Sequence, residues 1–75
     1  MKLKPISTNQ TEVIYSHGLR LFFSYETPVA CQMPSGTYHV TDKKWSRTTT
    51  RHINKWLDGA TAEEMPQLFF DGIAE

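Results

Sequence analysis

Between Thr11 and Thr41 a turn signal interrupts the chain every few residues, and this punctuation leaves room only for short strands. Residues 11–16 (TEVIYS) are rich in β-branched and aromatic types, which suit a pleated surface, and His17-Gly18 follows as a tight turn. Residues 19–26 (LRLFFSYE) place Leu19, Leu21, Phe23 and Tyr25 on one face and Arg20, Ser24 and Glu26 on the other. Thr27-Pro28 is expected to break that strand, because proline cannot donate to a ladder. Residues 29–33 make a third strand, Pro34-Ser35-Gly36-Thr37 a turn, and residues 38–41 a fourth strand. Pairing Met33 with Tyr38 gathers Val29, Cys31, Met33, Tyr38 and Val40 on one face. A slip of one residue would scatter them, so this register is the expected one.

Past Thr41 the apolar spacing changes from two to that of a helix. Asp42–Trp45 reads as a connector, Ser46 as an N-cap and Gly59 as a helix terminator. Over residues 46–58, Thr49, Ile53, Trp56 and Leu57 gather with Ala60 on one stripe. Residues 61–65 admit two readings. Thr61-Ala62-Glu63-Glu64 fits a capping box for a second helix, but Pro66 would then fall in its second turn. The preferred reading is a turn there, with Pro66 opening a short helix through Phe70. The first ten residues are polar and without period, read as a loose arm or an edge segment.

The expected fold is therefore α+β: a four-stranded antiparallel β-meander packed against the amphipathic helix, with a short C-terminal helix on the same face. A chain of 75 residues makes one domain, residues 1–75. The single cysteine, Cys31, excludes an internal disulfide and fits a reducing compartment. Four Phe, three Tyr and two Trp supply enough area for a core without staples. The basic start lacks a following apolar run, so it is not a signal peptide, and no stretch approaches the ~20 apolar residues of a membrane span. A cytoplasmic protein with no membrane partner is expected.

Eight basic and eight acidic residues give zero formal net charge. This excludes a polybasic nucleic-acid coat and an acidic DNA mimic, and it is compatible with a homodimer. What charge there is concentrates on the helix. At about 100° per residue, Lys44, Arg47, Arg51 and Lys55 fall within a sector of roughly 80° opposite the apolar stripe, with Lys43 and Trp45 at its start. Three readings stay open: a solvating face, a surface for an acidic protein, and a surface for a phosphate backbone. No acidic residue interrupts this ridge before Asp58, whereas a purely solvating face mixes signs. Trp56 lies on the apolar stripe and is read as core. Trp45 is read as a hydrophobic staple at the helix start, with stacking on a ligand as the alternative. Thr48 and Thr50 flank the ridge as surface residues.

Catalytic and metal chemistry find no support. His17, His39 and His52 are far apart in sequence, and the expected register puts Cys31 and His39 on opposite faces of the sheet, so no metal site and no cofactor is expected. Cys31 sits in an apolar strand where a thiol is inert. No phosphate-binding glycine motif or metalloprotease motif occurs, and no catalytic residue is assigned.

The segments FSYETPVA (residues 23–30), Gly36, Tyr38, Val40-Thr41, KKWSRTT (residues 43–49), His52-Ile53-Asn54 and Trp56-Leu57 resemble a family of small uncharacterised proteins encoded by tailed bacteriophages and prophages. The similarity runs from Tyr15 to Gln67, and Cys31 and residues 68–75 depart from it. The resemblance carries no functional residues. It implies the cytoplasm of an infected bacterium and a takeover or counter-defence role. The expected function is a non-enzymatic phage accessory protein that binds a host or phage protein through Lys43, Lys44, Trp45, Arg47, Arg51 and Lys55. The alternative is a small nucleic-acid-binding module, homodimeric in one version.

Overall fold

A computed structural model describes residues 2–74 as a six-stranded sheet with two helices. In chain order the elements are β1 (Lys2–Ser7), β2 (Gln10–Ile14), β3 (Arg20–Ser24), β4 (Thr27–Gln32), β5 (Tyr38–Thr41), α1 (Arg47–Leu57), β6 (Ala62–Met65) and α2 (Gln67–Ala74). Strand order in space follows strand order in sequence. The first five strands are antiparallel neighbours, and β6 runs parallel to β5. The α+β class holds, but the sheet is mixed and has six strands rather than four.

Both additional strands lie where sequence patterning is weakest. The expected loose arm is β1, wholly exposed yet paired along β2 from Lys2↔Ile14 to Ser7↔Gln10. Residues 61–65 are neither helix nor turn but contain edge strand β6, with Tyr38↔Ala62 and Thr41↔Met65 in register. Parallel neighbours need a crossover of a dozen or more residues, and α1 with its flanking loops supplies it. Pairing to β5 thus overrides the poor strand propensity of Ala62-Glu63-Glu64-Met65. As expected, the second helix begins beside Pro66, where the Phe69 amide donates to the Pro66 carbonyl, and it continues to Ala74.

Helices cover both faces of the sheet, not one. Glu12, Phe22, Ala30, Val40 and Glu64 form one cross-strand row. Phe22, Val29 and Ala30 pack there with Val40 and with Ile53 and Trp56 of α1. The adjacent row is Val13, Leu21, Cys31, His39 and Glu63, facing the other way. Val13, Leu21 and Cys31 pack with Phe70 of α2. Strand β3 is therefore buried on both sides, Leu21 and Phe22 each at 0% exposure, and the expected polar face of that strand is wrong at Phe22.

Two-sided burial also explains a register correction. Gln32 pairs with Tyr38 and Cys31 with His39, so Met33 lies opposite Thr37, with the Met33 amide donating to the Thr37 carbonyl. When both faces are buried, grouping all apolar residues on one face is no longer required. The turn decides instead: Gly36 donates to Met33 and takes φ +100°, a conformation open to glycine. Cys31 and His39 consequently share a face, against expectation. The strand expected to end at Thr27-Pro28 ends earlier, at Ser24, and Thr27 already belongs to β4. The chain reverses at Tyr25-Glu26, with Tyr25 at φ 59°, and Pro28 enters β4 at a bulge opposite Phe23.

Candidate binding cleft

Helix α1 is positioned by its cap and by its buried stripe. Ser46 accepts from the Thr49 amide at 3.2 Å, and Asp58 closes the helix in a left-handed conformation with its amide on the Asn54 carbonyl. Thr49, buried, and His52 both reach Ser24 of β3: Ser24 Oγ donates to Thr49 Oγ1 at 3.1 Å and lies 2.8 Å from His52 Nδ1. Trp56 stacks on Phe22 at 5.1 Å between centroids, meets Tyr38 edge-on, and donates its indole N–H to Glu12 Oε1 at 2.9 Å. Its expected place in the core is where it lies.

The helix is thereby held over β3 and β4, and a concavity of about 750 Å³ is left between its N-terminal half, the connector and the β5–β6 side of the sheet. Lys43, Lys44, Trp45, Arg47 and Arg51 line it, together with Val40, Asp42, Ile53, Asn54 and Glu64. Five of the six residues singled out from sequence thus come together in one place. Lys55 does not line it; it lies in the last turn of α1, where a cation complements the helix dipole. Lys44 reaches the cleft from the connector, where the sequence places it, since α1 begins at Arg47.

Trp45 belongs to neither apolar cluster. It is 37% exposed, with Lys43 Nζ 4.3 Å from its ring centroid and its indole N–H donating to Gln67 Oε1 at 3.3 Å. Gln67 accepts from Thr41 Oγ1 as well and donates to the Pro28 carbonyl, so the first residue of α2 anchors the cleft wall.

The electrostatics are one-sided. Four cations (Lys43, Lys44, Arg47, Arg51) face two carboxylates (Asp42, Glu64) around the cleft. Among the described residues, a carboxylate comes within 4.0 Å of a basic side chain only at Arg20 with Glu12 and at His39 with Glu63, so none of the cleft cations has a carboxylate partner. The first turn of α1 holds no acidic residue. Arg47 therefore sits at the positive end of the helix dipole, a placement that costs a few tenths of a kcal/mol.

Residues 1–72 match a family of unknown function, DUF8033. The chain is a member of DUF8033. No curated protein and no solved structure is significantly similar to it. The match takes in every strand and all of α1, so the cleft lies wholly within the DUF8033 region.

Three other constellations in this DUF8033 chain have the residue types of chemistry. Ser24 and His52 are at the separation a serine nucleophile needs from its base, but Ser24 is 1% exposed and also bonded to Thr49, so the pair fastens α1 to β3. Cys31 is fully buried, and burial pushes its thiol pKa up to about 11, the opposite of activation. Cys31, His39 and Glu63 share a row, with His39 Nδ1 4.0 Å from Glu63, yet among the described residues no group of three His, Cys, Asp or Glu is arranged to hold a metal. No helix of the described residues is long and apolar enough to cross a membrane.

Proposed function

We propose that this DUF8033 chain is a non-enzymatic binding protein that captures an acidic segment of another protein in the cleft beside α1. The observation that carries the reading is the set of unpaired cations Lys44, Arg47 and Arg51 around one concavity. Arg47 stands at the end of the helix dipole that disfavours a cation, and a residue placed against a local rule needs a gain elsewhere. The walls also hold the apolar side chains of Val40, Ile53 and Trp45, which suit a polypeptide better than a phosphate backbone. The zero net charge of the chain offers a long phosphate backbone no long-range attraction, whereas a short acidic segment needs only the local cations. The setting we propose, the cytoplasm of a phage-infected bacterium with a host or phage protein as partner, rests on the resemblance of the FSYETPVA and KKWSRTT segments.

Capture from bacterial lysate by immobilised protein tests the reading. Specific proteins should be retained by the wild type and lost with Arg47→Glu plus Arg51→Glu, while thermal unfolding of the variant stays within a few degrees of wild type. Retention of the same proteins by the double variant would sink it. Tight binding of random-sequence DNA or RNA at low salt, falling steeply as salt rises, would replace it with the nucleic-acid reading.

A further inference from the structure

The two edges of the sheet are finished differently. Strand β1 carries Lys2, Lys4 and Pro5 and a register shift between Pro5 and Ser7, the devices that keep an edge from pairing further. Strand β6 carries no Pro, no Lys and no bulge. Its outer side is open, since only β5 neighbours it. The Met65 carbonyl accepts from the Asp42 amide, so Met65 and Glu63 direct their backbone groups to β5. By alternation, Ala62 and Glu64 direct theirs outward. The cleft reaches this edge, because Glu64 is both one of its walls and a residue of β6.

We infer that the partner segment enters as an extended strand added to β6, alternating acidic residues toward α1 with basic or polar residues toward the opposite face. The inference rests on the cleft reading above and adds the conformation and charge pattern of what is bound. A strand beside β6 continues the pleat of the sheet, so every second side chain lies on the α1 face. There it meets Lys44, Arg47 and Arg51. The intervening side chains lie on the α2 face beside Glu63, whose side chain is 74% exposed. Main-chain bonds to Ala62 and Glu64 supply affinity, and the two faces of opposite charge supply register. Glu63 disfavours a second copy of β6 as occupant, because the copy would bring a like charge beside it on the α2 face.

The probe is a synthetic peptide of about eight residues with glutamate at every second position and lysine or threonine between. A second peptide of the same sequence carries N-methyl groups on alternate amides of the edge that would pair. Titrated into isotopically labelled wild-type protein, the first should shift the amides of Ala62–Met65 together with those of Arg47 and Arg51. The methylated peptide should bind about tenfold more weakly or worse, because its ladder is broken while its charges remain. Equal binding of the two, or shifts confined to α1, would overturn strand addition and leave the cleft reading standing. No shift with either peptide would also overturn it, and the lysate experiment would still report on the cleft. Light scattering completes the test: a concentration-dependent dimer whose contacts map to β6 would make a second copy the occupant and overturn the inference.

Discussion

The carboxylate of Glu12, 1% exposed in the middle of the sheet, accepts at one oxygen from both the Trp56 indole at 2.9 Å and Arg20, whose Nε and Nη2 lie at 3.0 and 2.7 Å. A charge in such a place is retained only because its partners are there, and removing one of them costs more than the pair contributes. Arg20→Ala is expected to destabilise the protein by about 2 kcal/mol. That is below the ~3–5 kcal/mol of a fully buried pair, because the arginine side chain is 40% exposed. Replacing both partners, Glu12→Leu with Arg20→Leu, should recover most of the loss. Urea unfolding of the two variants gives the comparison directly, and a double variant no more stable than Arg20→Ala would contradict the coupling.

The contact of Ser24 with Thr49 and His52 is a fastening between β3 and α1 through one shared hydroxyl. Ser24→Ala removes the shared hydroxyl and should cost about 1–3 kcal/mol, since buried Thr49 and half-buried His52 lose it at once. The helix holds one wall of the cleft, so amide exchange in α1 should quicken more than in α2. Uniform quickening would mean that the helix is not held at this point.

Legibility in the sequence follows burial. Helix α1, its Ser46 cap and its core residues Ile53 and Trp56 were readable because one face is covered and the other is not. Strand β1 has no buried residue, so it leaves no alternation to read. Strand β6 is Ala-Glu-Glu-Met, a segment that only its neighbour β5 makes into a strand. The run Leu21-Phe22-Phe23 was the available sign of two covered faces, because consecutive apolar residues in a strand require it. At the cleft, the helical spacing of Arg47 and Arg51 was sufficient to group them. Lys55 shares their angle but lies in the last turn and does not line the cleft, since a helical wheel records angle and not distance along the axis. Glu64 was out of reach, because its place depends on the parallel pairing of β6.

Asp58 ends α1 at φ 49° and ψ 47°, a left-handed conformation that a side chain with a β-carbon resists. Its amide, bonded to the Asn54 carbonyl at 3.1 Å, would serve equally from glycine. Asp58→Gly should therefore raise stability by about 0.5–1 kcal/mol despite the greater freedom of the unfolded chain. The variant also removes a carboxylate from the negative end of the helix dipole, which adds in the same direction. Thermal unfolding would show the gain; a lowered midpoint would mean that the Asp58 side chain makes a stabilising contact of its own.

Cys31 packs with Leu21 and Phe70 at 0% exposure, and desolvation lifts its pKa from 9.0 to about 11. Folding therefore favours the protonated thiol. The stability this contributes is present in full below pH 9.0 and is lost as the pH climbs toward about 11. The comparison is with Cys31→Ala, which should lose less stability than wild type does as the pH climbs from 9.0 toward about 11. Thiol labelling at pH 8 gives the kinetic counterpart. A buried neutral thiol reacts only when the structure opens, so modification should be about a hundredfold slower than in urea and should accelerate with each destabilising variant above. Fast labelling of the folded protein, or identical pH profiles for wild type and Cys31→Ala, would place the sulfur in contact with water.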